Sequence, residues 1–246
     1  MVYKSGAALA LLLFSVTQVT AAEMAVGGGI AYNESIYKGY NQNNHFAPLV
    51  HYESARFYFR QTTLGWVMAR DPHNELSLTA SWLPWAFKPG DNDDPAMQQL
   101  NERKSTAMAG AAWYHHQSWG SLKLAAAADV LDNSNGWTAE ASLFRVLPMG
   151  RLTLTPSVGV TWFDDKFNQY YYGVSADESR RSGLAAYSPK GSWNPYVGIA
   201  AKYALTGNLA LNFGALYTIL PDELKASPMV DRRDSMGLLA GVSWRF

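Results

Sequence analysis

Ser235-Met236-Gly237-Leu238-Leu239-Ala240-Gly241-Val242-Ser243-Trp244-Arg245-Phe246 closes the chain, and its alternation decides the fold class. The even positions (Met236, Leu238, Ala240, Val242, Trp244, Phe246) are apolar, and the odd ones are small or polar apart from Leu239. On an extended strand a period of two separates an apolar face from a hydrated one. A final strand that ends on an aromatic residue is the usual form of the closing stave of a bacterial outer-membrane barrel, although a soluble β-sandwich can end the same way. Trp244 and Phe246 are the candidate C-terminal signal for the barrel-assembly machinery.

The same period recurs along the chain. Leu76, Leu78, Ala80 and Trp82 alternate with Ser77, Thr79 and Ser81; Leu122 to Val130, Leu152 to Trp162, Trp193 to Tyr203 and Leu209 to Tyr217 repeat the pattern. Each segment is about ten residues, the length a tilted strand needs to cross a bilayer. Trp82, Trp162, Trp193, Tyr203, Tyr217 and Trp244 fall near the ends of the apolar faces, where interfacial aromatic girdles belong. The opposite faces carry Lys123, Asp129, Glu140, Lys202 and Arg245. A charge facing lipid costs a few kcal/mol near the midplane, so these five are the candidate interior charges. A soluble barrel would put the apolar side inward, and alternation alone fits both dispositions.

The N-terminus separates them. Lys4, the apolar run Ala7 to Val16 and Thr20-Ala21-Ala22 before Glu23 form the three parts of a cleaved export signal. The run is far shorter than the roughly twenty apolar residues of a spanning helix. The expected organisation is a signal peptide over 1–22 and one barrel domain over 23–246 in the cell outer membrane. The 20 basic and 20 acidic side chains balance, so neither nucleic acid nor a polybasic membrane dock is implied. The absence of cysteine excludes disulfides, thiol catalysis and thiolate metal sites.

Turn chemistry orders the staves. Short connections with Gly, Pro, Asn, Asp or Ser occur at 53–56, 71–74, 117–120, 148–150 and 205–208; longer ones at 34–44, 87–104, 132–136, 164–192 and 220–234. Short turns are periplasmic and long loops external in such barrels. The predicted strands are 24–33, 45–53, 56–61, 63–70, 75–86, 105–116, 121–131, 136–147, 151–163, 193–205, 208–219 and 235–246. That makes an all-β transmembrane antiparallel barrel of 12 strands, with both termini periplasmic. The count rests on splitting 56–70 at Gln61-Thr62 and becomes ten without that split.

No catalytic constellation is legible. His115 and His116 are adjacent on a strand and point to opposite faces. His45, His51 and His73 stand singly, without metal-ligand spacing. Asp91-Asn92-Asp93-Asp94, with Glu34 elsewhere, lacks the ligand periodicity of a calcium loop and reads as a solvated acidic segment. Gly27-Gly28-Gly29 lies inside a strand, where small residues ease curvature. No enzyme, cofactor or metal is expected. The connection 164–192 carries Tyr170, Tyr171, Tyr172, Arg180 and Arg181. It is expected either to fold into the barrel mouth with its arginines paired to acids, or to offer a binding surface of hot-spot side chains.

Arg103 to Gly110, Asp132 to Gly136, Tyr170 to Ser175, Glu178 to Leu184 and Ser227 to Asp231 resemble the MipA/OmpV family of outer-membrane proteins, nearest its YiaT-type branch. The likeness runs over the whole mature chain. It implies a non-enzymatic scaffold that binds a murein lytic transglycosylase and a penicillin-binding protein in peptidoglycan remodelling. Such a scaffold would use the strand ends around His115 to Trp119 and Pro148 to Arg151. Loop length points instead to a small-solute channel or a surface-binding protein. Outer-membrane lipid surrounds the barrel in either case.

Overall fold

The computed structural model describes residues 22–40 and 43–246; the expected export signal over 1–22 lies outside them except for Ala22. Among the described residues, thirteen strands form one antiparallel sheet. They are β1 (Glu23–Asn33), β2 (Asn44–Glu53), β3 (Phe57–Arg60), β4 (Thr63–Arg70), β5 (Asn74–Leu83), β6 (Thr106–Gln117), β7 (Gly120–Asp129), β8 (Trp137–Phe144), β9 (Leu147–Met149), β10 (Leu152–Phe163), β11 (Ser192–Ala204), β12 (Leu209–Ile219) and β13 (Asp234–Arg245). β1 pairs with β13 and β10 with β11, so the sheet closes on itself. Closure leaves no continuous edge, which is why a sheet can stand in lipid.

β8 and β9 both pair with β10 and make one stave, so the barrel has the 12 staves expected. The predicted strand 136–147 is interrupted at Arg145–Val146. Pro156 of β10 lies opposite this break and has no N–H to complete the ladder, although its carbonyl accepts from Arg145 N–H at 3.2 Å. The split at Gln61–Thr62 also holds: Gln61 turns the chain at φ +61°, and β3 returns as β4. The expected extension of β5 to residue 86 ends instead at Leu83, because Trp85, Ala86 and Phe87 turn inward and are buried.

The alternation resolves with the apolar phase outward. On β13, Met236, Leu238, Val242 and Trp244 are exposed, whereas Ser235 and Leu239 are buried. Trp82, Trp193, Tyr203 and Tyr217 lie on the same outer surface, and the Trp162 and Trp193 rings meet at 5.0 Å between centroids. A Cβ on Gly27 would stand 2.0 Å from the Val242 carbonyl oxygen, and one on Gly29 would stand 2.4 Å from that of Ala240. Only glycine permits so tight a bend of β1 over β13.

The external mouth is filled by the long connections. They carry α1 (Asp165–Tyr172), α2 (Ala176–Ser182) and α3 (Asp222–Lys225). Asp164 caps α1 by accepting from Phe167 N–H at 2.9 Å. Ser175 and Glu178 form a reciprocal capping box on α2, which Gly183 ends in the left-handed region. Tyr37, Trp85, Phe87, Phe167, Tyr171, Tyr172, Leu224 and Met229 pack into one buried cluster beneath these helices. Each large side chain buried this way contributes about 1.5–3 kcal/mol, so the plug is a packed core and not a loose lid.

Candidate functional site

Three regions carry the polar chemistry: the lumen, the external plug and the periplasmic rim. In the lumen, inward positions of consecutive staves bring charges together. Glu53 (β2) takes bonds from Arg60 (β3) at 2.7 and 3.0 Å and from Arg70 (β4) at 3.2 Å. Glu75 (β5) takes Arg60 at 3.1 Å and Arg70 at 2.5 Å. Both carboxylates are buried almost completely. The Arg60 guanidinium also stacks 3.8 Å from the centre of the Tyr58 ring. Two carboxylates and two guanidiniums compensate one another, which is the condition for burying charge at all.

The belt continues around the wall. Lys123 (β7) donates to Glu140 (β8) at 2.7 Å, and the Tyr196 hydroxyl (β11) donates to the other Glu140 oxygen at 2.7 Å. Tyr196 reaches β8 by lying across β10 at Gly159, where a Cβ would stand 2.6 Å from its ring. Tyr58 lies over Gly65 in the same manner and bonds the Ser77 hydroxyl at 2.9 Å. Gly159→Val is therefore expected to push Tyr196 off Glu140 and to lower the unfolding midpoint in urea, at a cost of about 1–3 kcal/mol. Adding Tyr196→Ala to that variant should return part of the loss.

The other predicted interior charges fall elsewhere. Asp129 ends β7 and organises the loop after it, accepting from Leu131 N–H at 2.9 Å, Asn135 N–H at 3.1 Å and the Ser134 hydroxyl at 2.9 Å. Lys202 is exposed near the periplasmic end of β11, and Arg245 is exposed and donates to the Gly207 carbonyl at 3.0 Å. Trp244 and Phe246 are exposed on the outside, with Phe246 N–H held by the Met24 carbonyl at 3.0 Å.

In the plug, Tyr171 and Tyr172 are buried and burial raises both phenols well above their ordinary range. Tyr170 accepts from Lys104 N–H at 2.7 Å. Arg180 is exposed and pairs with Asp177 on its own helix, while Arg181 donates to the Asn101 side chain at 2.7 Å. The pair that fastens the plug is a different one: Arg103 donates to Glu178 at 2.7 Å, both buried, and Asn101 N–H adds a bond at 2.9 Å. Sequence reasoning missed Arg103–Glu178 because its partners are 75 residues apart. It also missed the Glu53, Arg60, Arg70 and Glu75 network. Its available signal was the alternation itself, which puts Glu53 in phase with Leu49 and His51, and Glu75 in phase with Ser77 and Thr79.

At the periplasmic rim, the β4–β5 turn, the β6–β7 turn and the β8–β9 break enclose a groove of about 420 Å³. Its lining includes Arg70, Asn74, His116, Gln117, Arg145 and Pro148. Of the two segments expected to serve a periplasmic partner, the first lines it with His116, Gln117 and Ser118 and the second reaches it at Pro148. His116 N–H donates to the His73 carbonyl at 2.7 Å and fixes two of its walls. His115, on the opposite face, contacts Asn74 at 2.9 Å. Trp119 and Met149 are exposed at the tips of the flanking turns, leaving unusually large apolar groups beside the groove.

Comparison with known proteins agrees with this architecture. A family model described as MltA-interacting protein MipA matches residues 26–246. The outer membrane protein YiaT of Escherichia coli K12 is 56% identical over 227 residues, covering 92% of each chain. The MltA-interacting protein of the same organism is 39% identical over 241 residues, covering 97% of each. Among solved structures, an outer membrane channel of Pseudomonas putida F1 superposes with a TM-score of 0.50 at 9% identity, covering 94% of this chain and 97% of that one. At that identity the likeness concerns the fold alone.

Proposed function

This chain belongs to the MipA family of outer-membrane barrels, and from that premise we propose that it is a non-enzymatic scaffold for murein-remodelling enzymes. In this proposal, the chain reaches the outer membrane through a signal peptide cleaved after Ala22 and is folded there by the barrel-assembly machinery. It holds a murein lytic transglycosylase on its periplasmic face, and a penicillin-binding protein joins the same assembly. The observation that carries the proposal is the rim groove, which gathers His116, Gln117, Arg145 and Pro148 beside the exposed Trp119. Its walls are strand ends and tight turns, so the docking surface is organised before a partner arrives, which lowers the ordering cost of binding.

The proposal is tested with the refolded barrel immobilised and exposed to periplasmic extract. A murein lytic transglycosylase should be retained. Trp119→Glu combined with Arg145→Glu should weaken retention about tenfold or more, the effect of removing hot-spot contacts. Retention unchanged by both substitutions, or no retention of any murein enzyme, would overturn the assignment. In planar bilayers the intact barrel should give no discrete conductance, because plug and ionic belt occupy the two halves of its lumen. Reproducible steps would replace the scaffold with a channel.

A further inference from the structure

The wall of the barrel is low at one place. β3 has four residues and returns through the turn Gln61–Thr62. β2 pairs with β3 only through His51, Tyr52 and Glu53, and Gln61 N–H reaches the Val50 carbonyl at 3.3 Å. From Asn44 to Leu49, β2 rises above that turn with β1 on one side and no paired strand, among the described residues, on the other. Six residues of tilted strand represent roughly 15 Å of height. On the far side the gap closes where Trp82 N–H bonds the Thr62 carbonyl at 2.9 Å, one residue before β5 ends. Overhead the loops bridge it. Asp93 N–H donates to the Gly39 carbonyl at 2.9 Å, Asn92 to that of Lys38 at 2.8 Å, and Lys38 pairs with Asp94 at 2.8 Å. The result is a framed, wedge-shaped window in the half of the wall nearer the external loops.

An open sheet edge is not tolerated against hydrocarbon unless it lines a cavity. Here it does. At the level of the window lies a cavity of about 230 Å³, walled by β5, β6, β8, β10, β11, β12 and β13 and by plug side chains, with no lining residue from β1 to β4. The missing side is the window's side. Residues of β2 in phase with Val50, namely Phe46 and Pro48, turn their backbone groups toward the gap. Pro48 has no N–H, which withholds a donor that an added strand would require. The edge is therefore blunted against a partner strand and left open to the membrane. The cavity sets hydroxyls and amides (Ser81, Thr161, Asn194) against aromatic rings (Trp85, Phe163), and its carboxylate, Glu140, is already neutralised by Lys123.

We propose that the window is a lateral entrance through which a small uncharged amphiphile dissolved in the outer leaflet reaches the lumen. Its apolar part rests on the rings of the plug and its polar group on Ser81, Thr161 or Asn194. This does not depend on what the periplasmic face binds.

The chain has no cysteine, so one introduced thiol reports cleanly. In the full barrel folded in liposomes, the cysteine of Ser81→Cys should react with bilayer-soluble cyclohexylmaleimide roughly tenfold faster than with a sulfonated maleimide. Hexanol in the bilayer should protect it, and Gln61→Trp or Thr62→Trp should slow it. Thr155→Cys, buried lower on β10, should stay unlabelled and certifies the fold. Equal slow reaction with both reagents means a shut window; faster sulfonated labelling means axial entry. Insensitivity to both tryptophan variants means another route. A disulfide dimer formed through Phe46→Cys would assign the edge to a second copy. Any of these four results would overturn the proposal.

Discussion

Arg60→Met is expected to be the most damaging single substitution in the barrel wall. Arg60 bonds both buried carboxylates, using Nε and Nη2 on Glu53 and Nη1 on Glu75, and is the more buried of the two guanidiniums that do so. Its removal leaves Arg70, which is less buried, as the remaining guanidinium between two carboxylates that are almost wholly inaccessible. Taking one partner from a buried ion network costs about 3–5 kcal/mol, because the surviving charge stays desolvated. Most of that loss should appear as a lower urea midpoint for the folded barrel. The quadruple variant Arg60→Met, Arg70→Met, Glu53→Gln, Glu75→Leu should recover much of it, since a network removed whole leaves no stranded charge. If Arg60→Met alone unfolds at the wild-type midpoint, the network is solvated in the membrane-inserted protein and contributes little.

The second large effect concerns the plug. Glu178 is buried, which by itself raises a carboxyl's pKa; the N–H groups of Asn101 and Ser175 and the Arg103 guanidinium outweigh burial and hold it down at about 2. A depressed carboxyl contributes stability above its unfolded value, here 4.5, and that contribution fades as pH falls toward about 2. The external plug should therefore loosen across that acidic window while the barrel wall persists. Trypsin is a suitable neutral-pH probe, since Arg180 and Arg181 lie on α2 itself. Arg103→Met leaves Glu178 buried without its cation and should open α2 locally at pH 8. At about 3 kcal/mol, cleavage after Arg180 or Arg181 should quicken about a hundredfold. In the acid range, tyrosine and tryptophan fluorescence should show a transition in the wild type that Glu178→Gln flattens. An unchanged trypsin rate in Arg103→Met would show that the aromatic cluster alone holds the plug.

The two networks mark the limit of what one sequence displays. Lys123 and Glu140 are legible as interior charges because alternation with Leu122 and Leu124, or with neighbours on β8, fixes their phase. Alternation gives Glu53 a phase with Leu49 and His51, but it ends β2 at a turn and its partner Arg60 lies in a strand of four residues, so their meeting is not legible. Arg103 and Glu178 lie in connections with no period at all.

By itself the sequence determined the class of the molecule: staves alternating on a period of two, polar short turns against long connections, and an aromatic at the end of the last stave. These are local properties, because a strand's faces are set by its own backbone geometry and a turn by its own Gly, Pro, Asn or Asp. Even the short β3–β4 hairpin, the weakest point of that pattern, is readable at Gln61-Thr62. Period two is symmetric under inversion, so the lipid-facing side was read from the N-terminal segment and the aromatic placement and not from alternation, and the structure has the apolar phase outward as expected. Tertiary structure alone decided which acid meets which base, that Tyr171 and Tyr172 are core, and that β2 overtops β3. Those facts follow from register around a closed ring, where residues far apart in sequence become neighbours through pairings no local window contains.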